Sequence, residues 1–152
     1  MTNKEKETEI FFQNLQKYIW GNPSEPFSEK VIELAYEPVN VGDIENPDGF
    51  ARIKGSCGDT IQISLKLDND RISEIKFLSD GCAATIACGS GITVLAKNKP
   101  LEQAVQITPL NLLDFLKGLP ASHTHCVELA IDTFRKALEN INNKSNKGGN
   151  HD

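Results

Sequence analysis

Four cysteines occur in the 152 residues, and three of them stand where the residue pattern changes character. Cys57 lies in Gly55-Ser-Cys-Gly-Asp59, Cys82 follows Asp80-Gly81, and Cys126 closes the run His123-Thr-His-Cys126. Thiolate, imidazole and carboxylate are the donors that zinc and iron-sulfur clusters take from proteins. Cys57, Asp59, Cys82, His125 and Cys126 supply more than the four donors one site needs. No two cysteines have the C-x-x-C spacing, so the pattern by itself points to a soft-metal site without naming its purpose. The competing reading of any single cysteine is a small buried hydrophobe. That reading is preferred for Cys88, which sits among Ala87, Gly89 and Gly91 inside a helical stretch. Six residues of ideal helix beyond Cys82 turn it by about 240° net and advance it by about 9 Å. Asp59 also has an ordinary alternative, capping the turn after Gly58. Of the two histidines, His123 is three residues before Cys126 and shares its face on an ideal helix, whereas His125 is turned by about 100°.

The fold must bring these groups together over separations of 25 and 44 residues. From Phe50 to Phe77 apolar residues alternate, at Ala51 and Ile53, then Ile61, Ile63, Leu65 and Leu67, then Ile72, Ile75 and Phe77, with Asp68-Asn-Asp70 between the last two runs. Period two with tight turns predicts an antiparallel meander of three strands. Cys57 then falls between the first two strands and Cys82 where the third meets a helix, an end that favours thiolate. Helices are predicted over Ser28 to Tyr36, with Ser28 as N-cap, over Cys82 to Ala96, Leu101 to Gln106 and Pro109 to Lys117, and over Ser122 to Ile141. The last carries an apolar stripe of Val127, Ala130, Ile131, Phe134, Leu138 and Ile141. An amphipathic helix is predicted from Thr2 to Gly21, its Phe11, Phe12 and Trp20 reading as core or dimer contacts, and a disordered tail from Asn142 to Asp152. The fold class is α+β, one small three-stranded sheet covered on one face by helices.

Composition narrows the function. Hydrophobic residues make up 39% and charged residues 24%, the range of one compact domain. A formal net charge of −5, without a basic block, argues against nucleic acid as a partner. The apolar runs are too short for a membrane span, and Met1-Thr-Asn-Lys-Glu-Lys-Glu7 lacks the features of a secretory signal. A cytoplasmic location with reduced thiols is expected.

From Phe27 onward the chain resembles the NifU/IscU family of iron-sulfur cluster assembly scaffolds. The resemblance runs through Phe27-Ser-Glu-Lys-Val-Ile-Glu-Leu-Ala-Tyr-Glu-Pro-Val-Asn-Val-Gly42, Asn46-Pro-Asp-Gly49, Cys57-Gly-Asp59, Gly81-Cys-Ala-Ala-Thr-Ile-Ala87, Leu101-Glu-Gln-Ala104, Gly118-Leu-Pro120 and His125-Cys126. It implies a SufE/NifU-like fold and a division into residues 1–26, a scaffold domain over 27–141 and a tail over 142–152. It implies a scaffold rather than an enzyme, one that accepts sulfur from a cysteine desulfurase, binds iron, builds a transient [2Fe-2S] cluster and passes it to apo-proteins. The implied site is Cys57, Asp59, Cys82, His125 and Cys126, with His125 preferred over His123 and Cys126 as persulfide acceptor. A hard donor such as Asp59 or His125 in place of a fourth thiolate keeps the cluster transferable. A zinc-dependent sulfurtransferase of the same fold ranks second, because that branch carries a long insertion for which the 44 residues between Cys82 and Cys126 leave no room. Zinc can occupy the same ligands in an isolated scaffold. The Leu-Pro-Pro-Val-Lys segment that a dedicated Hsp70-type chaperone recognises reads Leu119-Pro-Ala-Ser-His123 here, so this partner is the least secure of those implied.

Overall fold

The alternating residues build one antiparallel sheet, in the order β1 (Gly49–Lys54), β2 (Thr60–Asp68) and β3 (Arg71–Ser79). The computed structural model describes residues 27–151 together with Lys6 and Glu7, with side chains described through Ile141. Ala51 pairs with Ile63 and Ile53 with Ile61, while Ile63 pairs with Phe77 and Leu65 with Ile75, so one face is apolar across all three strands. Asn69 and Asp70 form the two-residue turn between β2 and β3, both at positive φ (53° and 62°), a conformation that Asn and Asp tolerate better than other side chains. The three-residue step from Ile72 to Ile75, which breaks strict alternation, coincides with a register shift at Lys66 and Leu67. A bulge there lets both isoleucines face inward, and both are buried.

The helices are α1 (Glu29–Tyr36), α2 (Ala83–Ala96), α3 (Leu101–Ala104), α4 (Pro109–Phe115) and α5 (Thr124–His151), with a 3-10 turn at Ala121–His123. Ser28 caps α1 as expected, its hydroxyl accepting from Val31 N at 3.1 Å. Helix α2 is apolar nearly all round and lies between the sheet and the other helices, with Ala84, Ala87, Cys88 and Ile92 fully buried. Gly89 permits this, because any Cβ there would overlap the Phe77 ring. The whole predicted stripe of α5 is buried, from Val127 to Ile141. Truncating a fully buried aromatic such as Phe134 to Ala costs about 3–5 kcal/mol.

Three departures from expectation are local. The last helix starts after a 3-10 turn rather than at Ser122, and its backbone continues through His151 where a tail without structure is expected from Asn142. Propagation from a formed helix needs no new nucleus, which the apolar stripe alone could not foretell. The face of the sheet away from the helices is partly covered too: Ile44 N donates to Ser64 Oγ at 3.1 Å, and both residues are buried. The helix expected over Thr2 to Gly21 lies outside the described residues, apart from Lys6 and Glu7, which are helical and exposed. No helix among the described residues is long and apolar enough to cross a membrane.

Candidate metal centre

At one end of the sheet the β1–β2 turn, the β3–α2 junction and the start of α5 meet. The junction is locked by polar contacts: Ser79 Oγ donates to Thr60 O (2.7 Å) and accepts from Gly81 N (3.0 Å), and Thr60 N donates to Asp80 Oδ1 (2.8 Å). These bonds set the direction in which β3 hands over to α2 and place Cys82 at the N-cap, with extended φ and ψ of −74° and −179°. Cys82 is exposed. Cys126, three residues into α5, is fully buried.

The sulfurs of Cys82 and Cys126 and a ring nitrogen of His123 all lie within 4.8 Å of one another. Cys82 is the thiolate. Its pKa is lowered to about 4, first by the hydrogen bond that the Cys126 thiol donates to it, with the N–H groups of Thr85 and Ala84 adding to the effect against the opposing cost of burial. Cys126 keeps its proton for the complementary reason, since losing it would forfeit the bond to Cys82 and leave a second charge in a buried position. Both thiols stand near helix N-termini, yet only one of them ionises.

Thr85 links this pair to the carboxylate. Its hydroxyl donates to Asp59 Oδ2 at 2.7 Å and lies 3.4 Å from Cys126 Sγ and 3.6 Å from Cys82 Sγ. Gly81 makes room for the arrangement: a Cβ there would sit 2.7 Å from Thr85 Cβ and 2.9 Å from Asp59 Oδ2. Sequence reading missed Thr85, because its partners Asp59 and Cys126 are 26 and 41 residues away and no local spacing marks them. Asp59 is therefore held beside the thiols through Thr85 and is not one of the three clustered donors.

Each histidine has a place. His123 ends the 3-10 turn and contributes its nitrogen to the group of three from outside α5, so its approach to the thiols does not come from a helical face shared with Cys126. His125, favoured by the resemblance, has Nε2 3.7 Å from Cys126 Sγ. Their ring centroids are 6.4 Å apart with planes inclined by 28°. Cys57 stays outside the group. It is exposed on a turn closed by Gly55 N donating to Asp59 O (2.8 Å) and Gly58 N donating to Gly55 O (3.0 Å), with Gly58 at φ +93°. It opens on a pocket of about 220 Å³ shared with His125, Glu128 and Asp132. Cys88 is buried in α2, where desolvation first and the negative charge of Cys82 second raise its pKa, so it is a protonated core thiol. A larger concavity of about 580 Å³, lined by Leu95, Lys99, Ile107 and Phe115 among others, contains no thiol or imidazole.

The donors suit a soft or borderline ion: two sulfurs and an imidazole, with a second imidazole adjacent. Fold and site together define a small α+β protein with a thiolate-imidazole centre at one end of a three-stranded sheet. Residues 26–148 match the NifU-like N-terminal domain, and the chain belongs to that family. It is 40% identical over 122 residues to iron-sulfur cluster assembly scaffold protein IscU 1 of Archaeoglobus fulgidus, covering 80% of each chain. It is 32% identical over 116 residues to the scaffold protein IscU of Aquifex aeolicus, covering 74% of each. The fold is shared with an iron-sulfur cluster assembly scaffold protein for the SUF system from Fervidobacterium islandicum, with a TM-score of 0.62 at 21% identity over 74% of this chain and 96% of that one. The resemblance drawn from the sequence and the α+β fold class both hold.

Proposed function

We propose that this protein is a scaffold on which an iron-sulfur cluster, of the [2Fe-2S] type, is assembled and from which it is passed to apo-proteins. The observation that carries this reading is the convergence of Cys82, Cys126 and His123 within 4.8 Å at an end of the sheet where Cys82 is open to solvent. Membership of a family whose relatives are named as IscU scaffolds supports it. Iron and sulfide are the cargo. The exposed thiolate of Cys82 offers the first sulfur to an incoming ion. Binding releases the Cys126 proton to solvent, which frees a second thiolate, and the adjacent Thr85 hydroxyl remains within reach of both sulfurs. Cys57 completes the set when its turn moves toward the pocket that it shares with His125. Asp59, His123 and His125 are harder donors than a fourth cysteine, and that difference keeps the cargo removable.

Sulfur delivery requires a donor persulfide, for which a cysteine desulfurase is the partner. An acceptor thiolate attacks the outer sulfur of the donor persulfide; a new S–S bond forms, the donor's S–S bond breaks, and the donor leaves as thiolate. Cys126, the acceptor implied by the resemblance, is fully buried here, so this role requires the groups packed about its sulfur, Cys82, Thr85, His123 and His125 among them, to move aside. Free thiols of this kind persist in a reducing compartment such as the cytoplasm.

Anaerobic reconstitution with ferrous iron, cysteine, a cysteine desulfurase and excess dithiol, which supplies the remaining electrons that take persulfide sulfur to sulfide, tests the proposal. The expected result is visible absorption of a [2Fe-2S] cluster that disappears as an apo-ferredoxin is added and becomes holo-ferredoxin. Absence of a cluster, together with repeated turnover of persulfide sulfur to a small thiol by zinc-loaded protein, would favour the sulfurtransferase reading. The two-sulfur, one-nitrogen donor group suits zinc as well.

A further inference from the structure

We propose that Phe27 is a positioning residue for the metal centre, holding the His123 imidazole over the sulfurs of Cys82 and Cys126 so that His123 serves as a nitrogen ligand. The inference rests on the metal-site reading above and adds to it a ligand and the means of aiming it. The ring centroids of Phe27 and His123 are 5.1 Å apart with planes tilted by 49°, within the range of favourable aromatic pairing. His125 lies on His123 as well, at 6.4 Å. The imidazole therefore has two ring neighbours while its donor atom stays within 4.8 Å of both sulfurs.

Both partners of the Phe27–His123 contact are fixed by backbone and capping bonds. Phe27 is only 8% exposed and precedes Ser28, whose hydroxyl donates to Leu116 O at 2.5 Å and accepts from Val31 N. Lys30 Nζ lies 5.0 Å from the centre of the Phe115 ring, a second tie between α1 and the end of α4. On the other side His123 N donates to Pro120 O at 2.9 Å within the 3-10 turn. An imidazole free to rotate must be ordered when a metal binds, whereas one already held by a packed ring need not be; hydrogen-bonded outer partners that orient a ligating imidazole are worth about 10–100-fold in metal affinity, and a packed ring is assigned the lower end of that range. The N-terminal segment 1–26 joins the domain at Phe27, directly beside the ligand that this ring aims.

The test is cadmium-113 NMR on the full chain with nitrogen-15 in its histidines, joined to cadmium affinity by competition with a chelator. The wild type is expected to show cadmium-nitrogen coupling to His123, and contacts between the Phe27 and His123 rings that persist in the loaded protein. Phe27→Leu should lower affinity by about tenfold and weaken that coupling, and Phe27→Tyr should restore both. In a His123→Ala background Phe27→Leu should add little, because its effect passes through His123. Absence of His123 coupling in the wild type overturns the proposal without any variant. So does an equal loss from Phe27→Leu with and without His123, which would mean that the ring acts through folding. If Phe27→Leu does not fold by circular dichroism, Phe27→Met carries the same comparison. Cadmium binding that survives both Cys82→Ser and Cys126→Ser would instead refute the thiolate site itself, a failure separate from that of Phe27.

Discussion

Cys82 and Cys126 are held by elements with deep anchors, α2 packed between sheet and helices and α5 buried along its stripe, while Cys57 rides on a hairpin turn closed by two backbone hydrogen bonds. The donor atoms of the first pair lie within 4.8 Å of each other, share one proton and are tied to Asp59 through Thr85. The third thiol faces solvent outside that group. A site that must both capture and surrender its cargo gains from this asymmetry: the anchored half supplies affinity, and the half on the turn can close or open without disturbing the core. Anchored and turn-borne cysteines should accordingly respond differently to every perturbation below.

The largest effect is expected from the anchored pair. Cys82→Ser and Cys126→Ser should each remove most of the sulfur-to-metal charge-transfer absorption of cobalt-loaded protein and abolish cluster reconstitution. Unchanged spectra in either variant would remove that residue from the site.

Next in size is a change in reactivity with pH. With its pKa lowered to about 4, Cys82 is thiolate throughout the neutral range, so its alkylation by iodoacetamide in the metal-free protein should be flat between about pH 6 and 8 and fall only in acid. Cys126→Ala removes the thiol that donates to it, and Cys82 then shifts back toward the ordinary value. Alkylation at pH 6 should drop by about tenfold or more and rise with pH, as measured by mass spectrometry of the Cys82 peptide. A flat profile in the variant would show that the helix end alone holds the charge.

A smaller effect is expected from Thr85→Val. It keeps the shape but deprives Asp59 Oδ2 of its 2.7 Å donor, at a cost of about 1–3 kcal/mol in thermal or urea unfolding. Metal affinity should fall as well, because the carboxylate is no longer fixed. Smallest of all is Cys88→Ala, which removes a buried sulfur and should cost about 1 kcal/mol of stability while leaving cobalt spectra unchanged.

How far the sequence discloses this asymmetry depends on the range of the interactions involved. Period-two and helical spacing locate the strands and helices because burial of one face is a local pattern, and Ser28 and the Asn69-Asp70 turn are legible for the same reason. Junction positions bring Cys57, Cys82 and Cys126 to one end of the sheet but do not tell that Cys57 stands outside the close group. The bulge at Lys66 and Leu67, which excuses the irregular step between Ile72 and Ile75, depends on the partner strand. Thr85 bonds to groups 26 and 41 residues away, which no local spacing encodes. The 3-10 turn that brings His123 to the thiols, and the hairpin that leaves Cys57 apart, likewise follow from how α5 meets the sheet.

The asymmetry is tested most directly by Cys57→Ser, followed in one preparation by anaerobic cobalt titration and cluster reconstitution. The account predicts that single-ion affinity stays within about threefold of wild type, because the anchored sulfurs and His123 bind without Cys57, while the [2Fe-2S] cluster fails to form or is lost rapidly. Loss of cobalt affinity as severe as in Cys82→Ser would contradict it, as would a cluster that assembles and persists without Cys57.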